Sequence, residues 1–332
     1  MKKISKLLAL VLTLAMVLSC TAVMAFAAKK KTTYKTYDYD KNGKVVYTVL
    51  GDSIPAGWSA PGFVEWSKEV ANWPIVPDTY PAYLKQSLDA DVVNMDAHIG
   101  LRSTDLRYLL DETYAGDIAV GWRVPTTDRY RQIDYEKLAV LRAEYQKDVA
   151  SADIITLGIG INDMTIPSGI LDNVQQENLN GLLNPGAVWG DLLTAVSQLA
   201  DNTAYMAQVS TLLFGFYQTY CANFDAIVQK IYELNPNVKL YVIGYYNAAQ
   251  DAYIKGALPV DIGAVVTPFI DLFNSHAANN AATYGYTYVK MEHIDTLFCD
   301  PTSAGYLNDN HPTPAGHKQM ADIIMESIEA DL

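Results

Sequence analysis

A serine hydroxyl becomes an acyl-transfer nucleophile when a base takes its proton and N–H donors are aimed where charge develops on the carbonyl oxygen. Ser53 is the candidate hydroxyl, within VYTVLGDSIPAGW at 46–58. The apolar run Val45, Val46, Val49 and Leu50 reads as a buried strand halted at Gly51, and Pro55, Ala56 and Gly57 break any regular continuation. Ser53 is thus delivered to a tight turn at a strand's carboxyl end, where open parallel sheets bind ligands. The Gly-Asp-Ser triplet is equally ordinary turn chemistry, with Asp52 or Ser53 free to cap a following helix.

His311, in NDNHPTPAGH at 308–317, is the candidate base: it stands in a loop just before a helix, beside an acid and a rigid proline. His98, His276 and His293 lack that setting, and His317 falls inside the helix. Two oxyanion donors fit the remaining requirement. Asn162 follows a strand in LGIGIND and could offer its side-chain amide; Gly100 could offer a backbone N–H with no side chain in the way. Each has a plainer reading as a turn residue.

The elements needed to position these groups are legible. Helical spacing is expected over 79–90, 103–110, 135–149, 224–234 and 314–328, and strands over 92–95, 154–157, 238–243 and 286–291. Strands alternating with helices imply parallel crossovers and a three-layer α/β/α sandwich with a mainly parallel sheet. A helical insertion at about 164–222, a loop followed by a largely apolar helical stretch, exceeds what a crossover needs, and reads as extra core, a dimer face or a lid.

The chain has 332 residues and opens with Lys2, Lys3 and Lys6 before an apolar run that ends in small residues. That is the layout of a secretory signal over 1–28, followed by a polar lead-in over 29–44 and one domain over 45–332. A retained membrane anchor and a lipid-bearing Cys20 are the rival readings of this leader. Export to the medium or cell surface is the expectation, with no stable membrane insertion after cleavage. A net charge of −13 disfavours phosphate backbones and so nucleic-acid binding. Cys221 and Cys299 remain either as one disulfide or as two free thiols. Asp38, Asp40 and Asn42 imitate the start of a calcium loop, but Val49 stands where its glutamate belongs, so an Asn-Gly turn is expected and no metal.

The blocks GDSI at 51–54, Gly100 followed by RSTDL, GIND at 160–163 and HPTPAGH at 311–317 resemble, in order, those of a GDSL-type or SGNH hydrolase. The resemblance implies a flavodoxin-like sandwich and a cofactor-free carboxylic ester hydrolase. It implies Ser53 as nucleophile, His311 as general base, and Ser53, Gly100 and Asn162 as the oxyanion hole. Where the family often places its acid, three residues before the histidine, this chain has Asn308; Asp309 is the expected acid, with Asn308 or a backbone carbonyl as other ways to orient the ring. Asp52 and Asp163 are expected to serve the loops. The expected substrate is a small-molecule or polysaccharide ester, a carbohydrate acetyl ester ahead of a lipid. Trp58, Trp66, Trp73 and Tyr80 suit a carbohydrate acetyl ester if exposed, and the apolar 192–216 stretch suits a lipid. A secreted binding module that keeps the fold without the chemistry is the alternative from another class.

Overall fold

The computed structural model describes residues 34–64, 71–115, 135–165, 203–251, 262–306 and 309–332. The leader, Cys20, Trp66, Asn308 and most of the 164–222 segment lie outside them.

Five strands form one parallel sheet: β1 (Val46–Gly51), β2 (Val92–Ala97), β3 (Ile154–Gly158), β4 (Lys239–Ile243) and β5 (Thr287–Val289), in the order β2-β1-β3-β4-β5. Chain order reverses between β1 and β3, so loops leave those two carboxyl ends in opposite directions and open a crevice there. In register, Gly51 pairs with Ala97 on one side and Gly158 on the other, which brings the loops after all three strands to one level.

The two-residue period of the strands builds the layers. Tyr47, Val49, Met95, Tyr241 and Ile243 point into a core closed by α2 (Tyr80–Ser87) and α8 (Pro314–Ala330). Leu50, Ile155, Leu157, Leu240 and Val242 point the other way, against α3 (Ser103–Leu110), α4 (Tyr135–Ala150), α6 (Thr203–Leu234) and α7 (Ile262–Tyr284). The expected three-layer sandwich with a parallel sheet is the observed fold.

Four elements differ from the sequence reading. A four-residue helix, α1 (Ser53–Ala56), occupies the expected tight turn, and another short helix, α5 (Ile161–Thr165), follows β3. The helix expected at 224–234 is the last part of the 32-residue α6. The 23-residue α7 was not anticipated, because Val265, Val266, Thr267 and Pro268 read as a poor helix start. Burial of Ile270, Phe273 and Ala277 overrides that local preference, with Phe273 set 4.5 Å from Tyr220 of α6 between ring centroids.

Candidate active site

Ser53 is the first residue of α1, so its backbone N–H has no carbonyl one turn earlier to bond. Asp52, fully buried, caps this turn: one carboxylate oxygen accepts the Ile54 N–H at 3.0 Å and the other accepts the Tyr245 hydroxyl at 2.7 Å. Burial, only partly offset by those bonds, pushes the Asp52 carboxyl up to about 6. Gly51 permits the close approach on which the turn depends, since a Cβ there would meet the Gly158 carbonyl oxygen at 2.5 Å. Gly57 closes α1 with its N–H on the Ile54 and Ser53 carbonyls.

The Ser53 hydroxyl lies 2.9 Å from Nε2 of His311, 258 positions further along the chain. Nδ1 of the same ring lies 2.6 Å from Oδ1 of Asp309, an oxygen that also accepts the His311 backbone N–H at 3.0 Å. Burial alone would raise the Asp309 carboxyl, but hydrogen bonds from His311 and Ser59 outweigh it and hold the group down at about 2. A carboxylate on Nδ1 selects the tautomer that leaves Nε2 as the acceptor facing Ser53. Asp309 thus takes the orienting position, with Asn308 outside the described residues.

The His311 segment is held from three sides. The Leu297 N–H donates to the His311 carbonyl at 2.9 Å beside a Thr296–Pro312 bridge, and the Thr313 N–H donates to Asp295 O at 2.9 Å. The Tyr246 hydroxyl, just beyond β4, donates to Asn310 O at 3.0 Å. Thr313 then caps α8 by accepting the Gly316 N–H at 3.0 Å. Tyr245 and Tyr246 were not singled out in the sequence, although two hydroxyls at a strand's carboxyl end were a usable signal.

Asn162, in α5, lines the same cavity as Ser53 and His311. Its amide donates one N–H to Leu101 O at 3.0 Å, which joins the loop after β3 to the loop after β2; among the described residues the amide's second N–H has no partner. Gly160 lets α5 begin there: its φ is +138°, and a Cβ would sit 2.4 Å from the Tyr220 ring. Gly100, at φ +70°, precedes Leu101 in this junction but is not one of the residues lining the cavity. Asp163 is a cap residue: it accepts the Ser103 N–H at 2.8 Å and the Ser103 hydroxyl at 2.5 Å, holding the start of α3. Burial pushes its carboxyl up to about 7.

The cavity measures about 530 Å³, within the usual range for small-molecule sites. Ser53, Asn162 and His311 line it, together with the apolar Ile54, Ile161, Phe269, Ile270 and Phe298. Of the aromatic residues that suggested sugar stacking, Trp73 and Tyr80 are buried, and Trp58 meets Phe63 edge-on at 5.3 Å.

The other histidines are engaged elsewhere. His98 is buried with Nδ1 2.6 Å from the Tyr145 hydroxyl, His276 meets Asp225 at 2.9 Å, and His293 meets Asp251 at 3.2 Å. His317 is buried in α8, and burial lowers its basicity to a pKa of about 3. Cys221 and Cys299 are both free thiols. The oxygens of Asp38, Asp40 and Asp153 come within 4.8 Å of one another, a spacing compatible with a cation. The same carboxylates close the turn before β1: Asp38 accepts the Asn42 and Gly43 N–H groups, Asp40 accepts from Asn42, and Asp153 accepts the Tyr39 and Val46 N–H groups.

The fold and this line of hydroxyl, imidazole and carboxylate at the sheet's carboxyl edge define a class, the parallel α/β proteins with a serine-hydrolase-like site. The chain matches the model of the GDSL-like lipase/acylhydrolase family over residues 49–319, and it belongs to that family. An extracellular lipase from Streptomyces rimosus has a similar fold, with a TM-score of 0.50 and 19% identity over 85% of this chain and 99% of that one. Phospholipase A1 from Streptomyces albidoflavus gives a TM-score of 0.47 and 17% identity, covering 86% of this chain and 99% of that one. A carbohydrate esterase family 2 enzyme with a carbohydrate-binding domain, from Corynascus thermopiles, gives 0.42 and 14%, covering 86% and 66%. No curated protein matches the chain.

Proposed function

We propose that the protein hydrolyses carboxylic esters through an acyl-enzyme on Ser53, and that its preferred acyl group is an apolar chain longer than acetyl. The observation that carries this reading is the 2.9 Å contact of Ser53 Oγ with His311 Nε2, backed by the 2.6 Å contact of Nδ1 with Asp309, at the wall of a largely apolar cavity.

Ser53 Oγ attacks the ester carbonyl while Nε2 of His311 takes its proton, and Asp309 stabilises the resulting imidazolium without accepting the proton. The Ser53 N–H and the second N–H of the Asn162 amide receive the oxyanion at the cavity wall, and the family resemblance, not the cavity lining, adds the Gly100 N–H. His311 then protonates the leaving alcohol. Water attacks the acyl-enzyme by the same route in reverse and frees the acid. These steps route no charge through a metal or organic cofactor. The apolar lining favours a lipid-like or medium-chain ester, and the buried Trp73 and Tyr80 remove part of the case for an acetylated sugar. The leader over 1–28 would direct this activity outside the cell.

A panel of p-nitrophenyl acetate, butyrate and octanoate, acetylated xylan and a phospholipid tests the reading. kcat/KM is expected to rise from acetate to the longer chains and to vanish in Ser53→Ala. Hydrolysis of acetylated xylan alone would overturn the acyl-chain preference, and hydrolysis that survives Ser53→Ala would overturn the mechanism.

A further inference from the structure

Asp309 uses its two oxygens differently. Oδ1 takes both bonds from His311, while Oδ2 accepts the hydroxyl of Ser59, 250 positions earlier in the chain. Among the described residues Ser59 is the one side chain holding Oδ2. Five residues thus separate two grips made by a single segment: Ser53 at its start engages His311, and Ser59 at its end engages the carboxylate behind His311. We infer that Ser59 is a positioning residue for the reaction, fixing the Asp309 carboxylate so that Oδ1 stays on the imidazole; this rests on the Ser53–His311 reading given above.

The backbone supports a purpose for this side chain. The turn after α1 is tied by the Trp58 N–H on Ser53 O at 3.0 Å and the Ala60 N–H on Gly57 O at 3.1 Å. Ser59 lies inside it at φ +64°, a left-handed conformation where glycine or asparagine is the easy choice and another residue is strained. A glycine would satisfy the turn but leave Oδ2 without its donor. The Asp309 backbone is anchored independently by its N–H on Gly305 O at 2.8 Å, so Ser59 governs the rotation of the carboxylate more than the course of the loop. Ser59 is exposed, and water competes for the same oxygen, which moderates the expected effect.

Ser59→Gly separates catalytic from structural roles, because it removes the hydroxyl while relieving the backbone. The expected result is a kcat lower by about tenfold with KM unchanged. The melting temperature should be equal or higher, and the same substitution should have no further effect in an Asp309→Ala background. The downfield proton resonance of His311 Nδ1–H should also move or broaden in Ser59→Gly. An active wild type whose Ser59→Gly variant keeps its kcat and its resonance overturns the inference while sparing the ester-hydrolase reading. A wild type inert on every ester, in which Ser59→Gly still displaces the resonance, overturns the hydrolase reading and upholds the hold of Ser59 on Asp309. An inert wild type with an unmoved resonance overturns both.

Discussion

At the residue scale, reactivity turns on which atom of the imidazole carries the proton. Asp309 receives Nδ1–H at 2.6 Å, and its carboxyl is held at about 2, so it stays ionised throughout the neutral range and cannot itself set the acid limit of activity. An asparagine there presents an amide that can turn its own N–H toward Nδ1 and favour the wrong tautomer. Asp309→Asn is therefore expected to lower kcat by roughly 10³- to 10⁴-fold, by analogy with serine triads. Steady-state kinetics on the preferred ester would check this, and a loss under tenfold would mean that the carboxylate is dispensable. Ser53 and His311 were readable from motif and setting. The contact of Asp309 with the imidazole was an expectation that spacing alone could not separate from one made by Asn308 or a backbone carbonyl, since it depends on how one loop folds. Ser59 was not readable, because a serine in a turn carries no mark of the carboxylate it will meet from the other end of the chain.

At the scale of elements, the site depends on three loops leaving β1, β2 and β3 at one level. The Asn162 amide bond to Leu101 O and the close seat of Gly160 on Tyr220 join two of these loops to α6. Gly160→Ala would place a methyl group 2.4 Å from that ring at a φ of +138°, so either Tyr220 or the start of α5 must shift. The expected cost is about 2 kcal/mol or more in chemical denaturation, with kcat reduced further than KM because Asn162 moves with the loop. A variant of wild-type stability and turnover would contradict the close packing. The strands and most helices were legible from their periodicity. α7 was not, since Pro268 and the β-branched residues before it argue locally against a helix that only its buried face against α6 explains. α1 was missed for a different reason: four residues are too few to show a period.

For the whole molecule, buried carboxyls set how stability follows pH. Burial raises Asp52 to about 6 and Asp163 to about 7, and raises Asp96 as well, with Asp148 adding to it. A folded-state value above the unfolded one means that the neutral form stabilises the fold at low pH, and that this stability is lost as pH rises through the folded value. Asp309 runs the other way: its contribution is present above the unfolded carboxylate value and is lost as pH falls through about 2. His317, lowered by burial to about 3, opposes this up to the unfolded imidazole value of 6.5, so the thermal midpoint is expected to fall between about pH 6.5 and pH 8, and Asp163→Asn should flatten that slope. A midpoint that climbs over the same interval would contradict the burial of these groups.

Whether Ser53 is a nucleophile activated by His311 can be decided by covalent capture. Intact mass spectrometry after exposure to a fluorophosphonate should show a single adduct on the wild-type protein, mapped to Ser53, much slower to form in His311→Ala and absent from Ser53→Ala. A wild-type protein that stays unlabelled, or an adduct that persists in Ser53→Ala, would contradict that role.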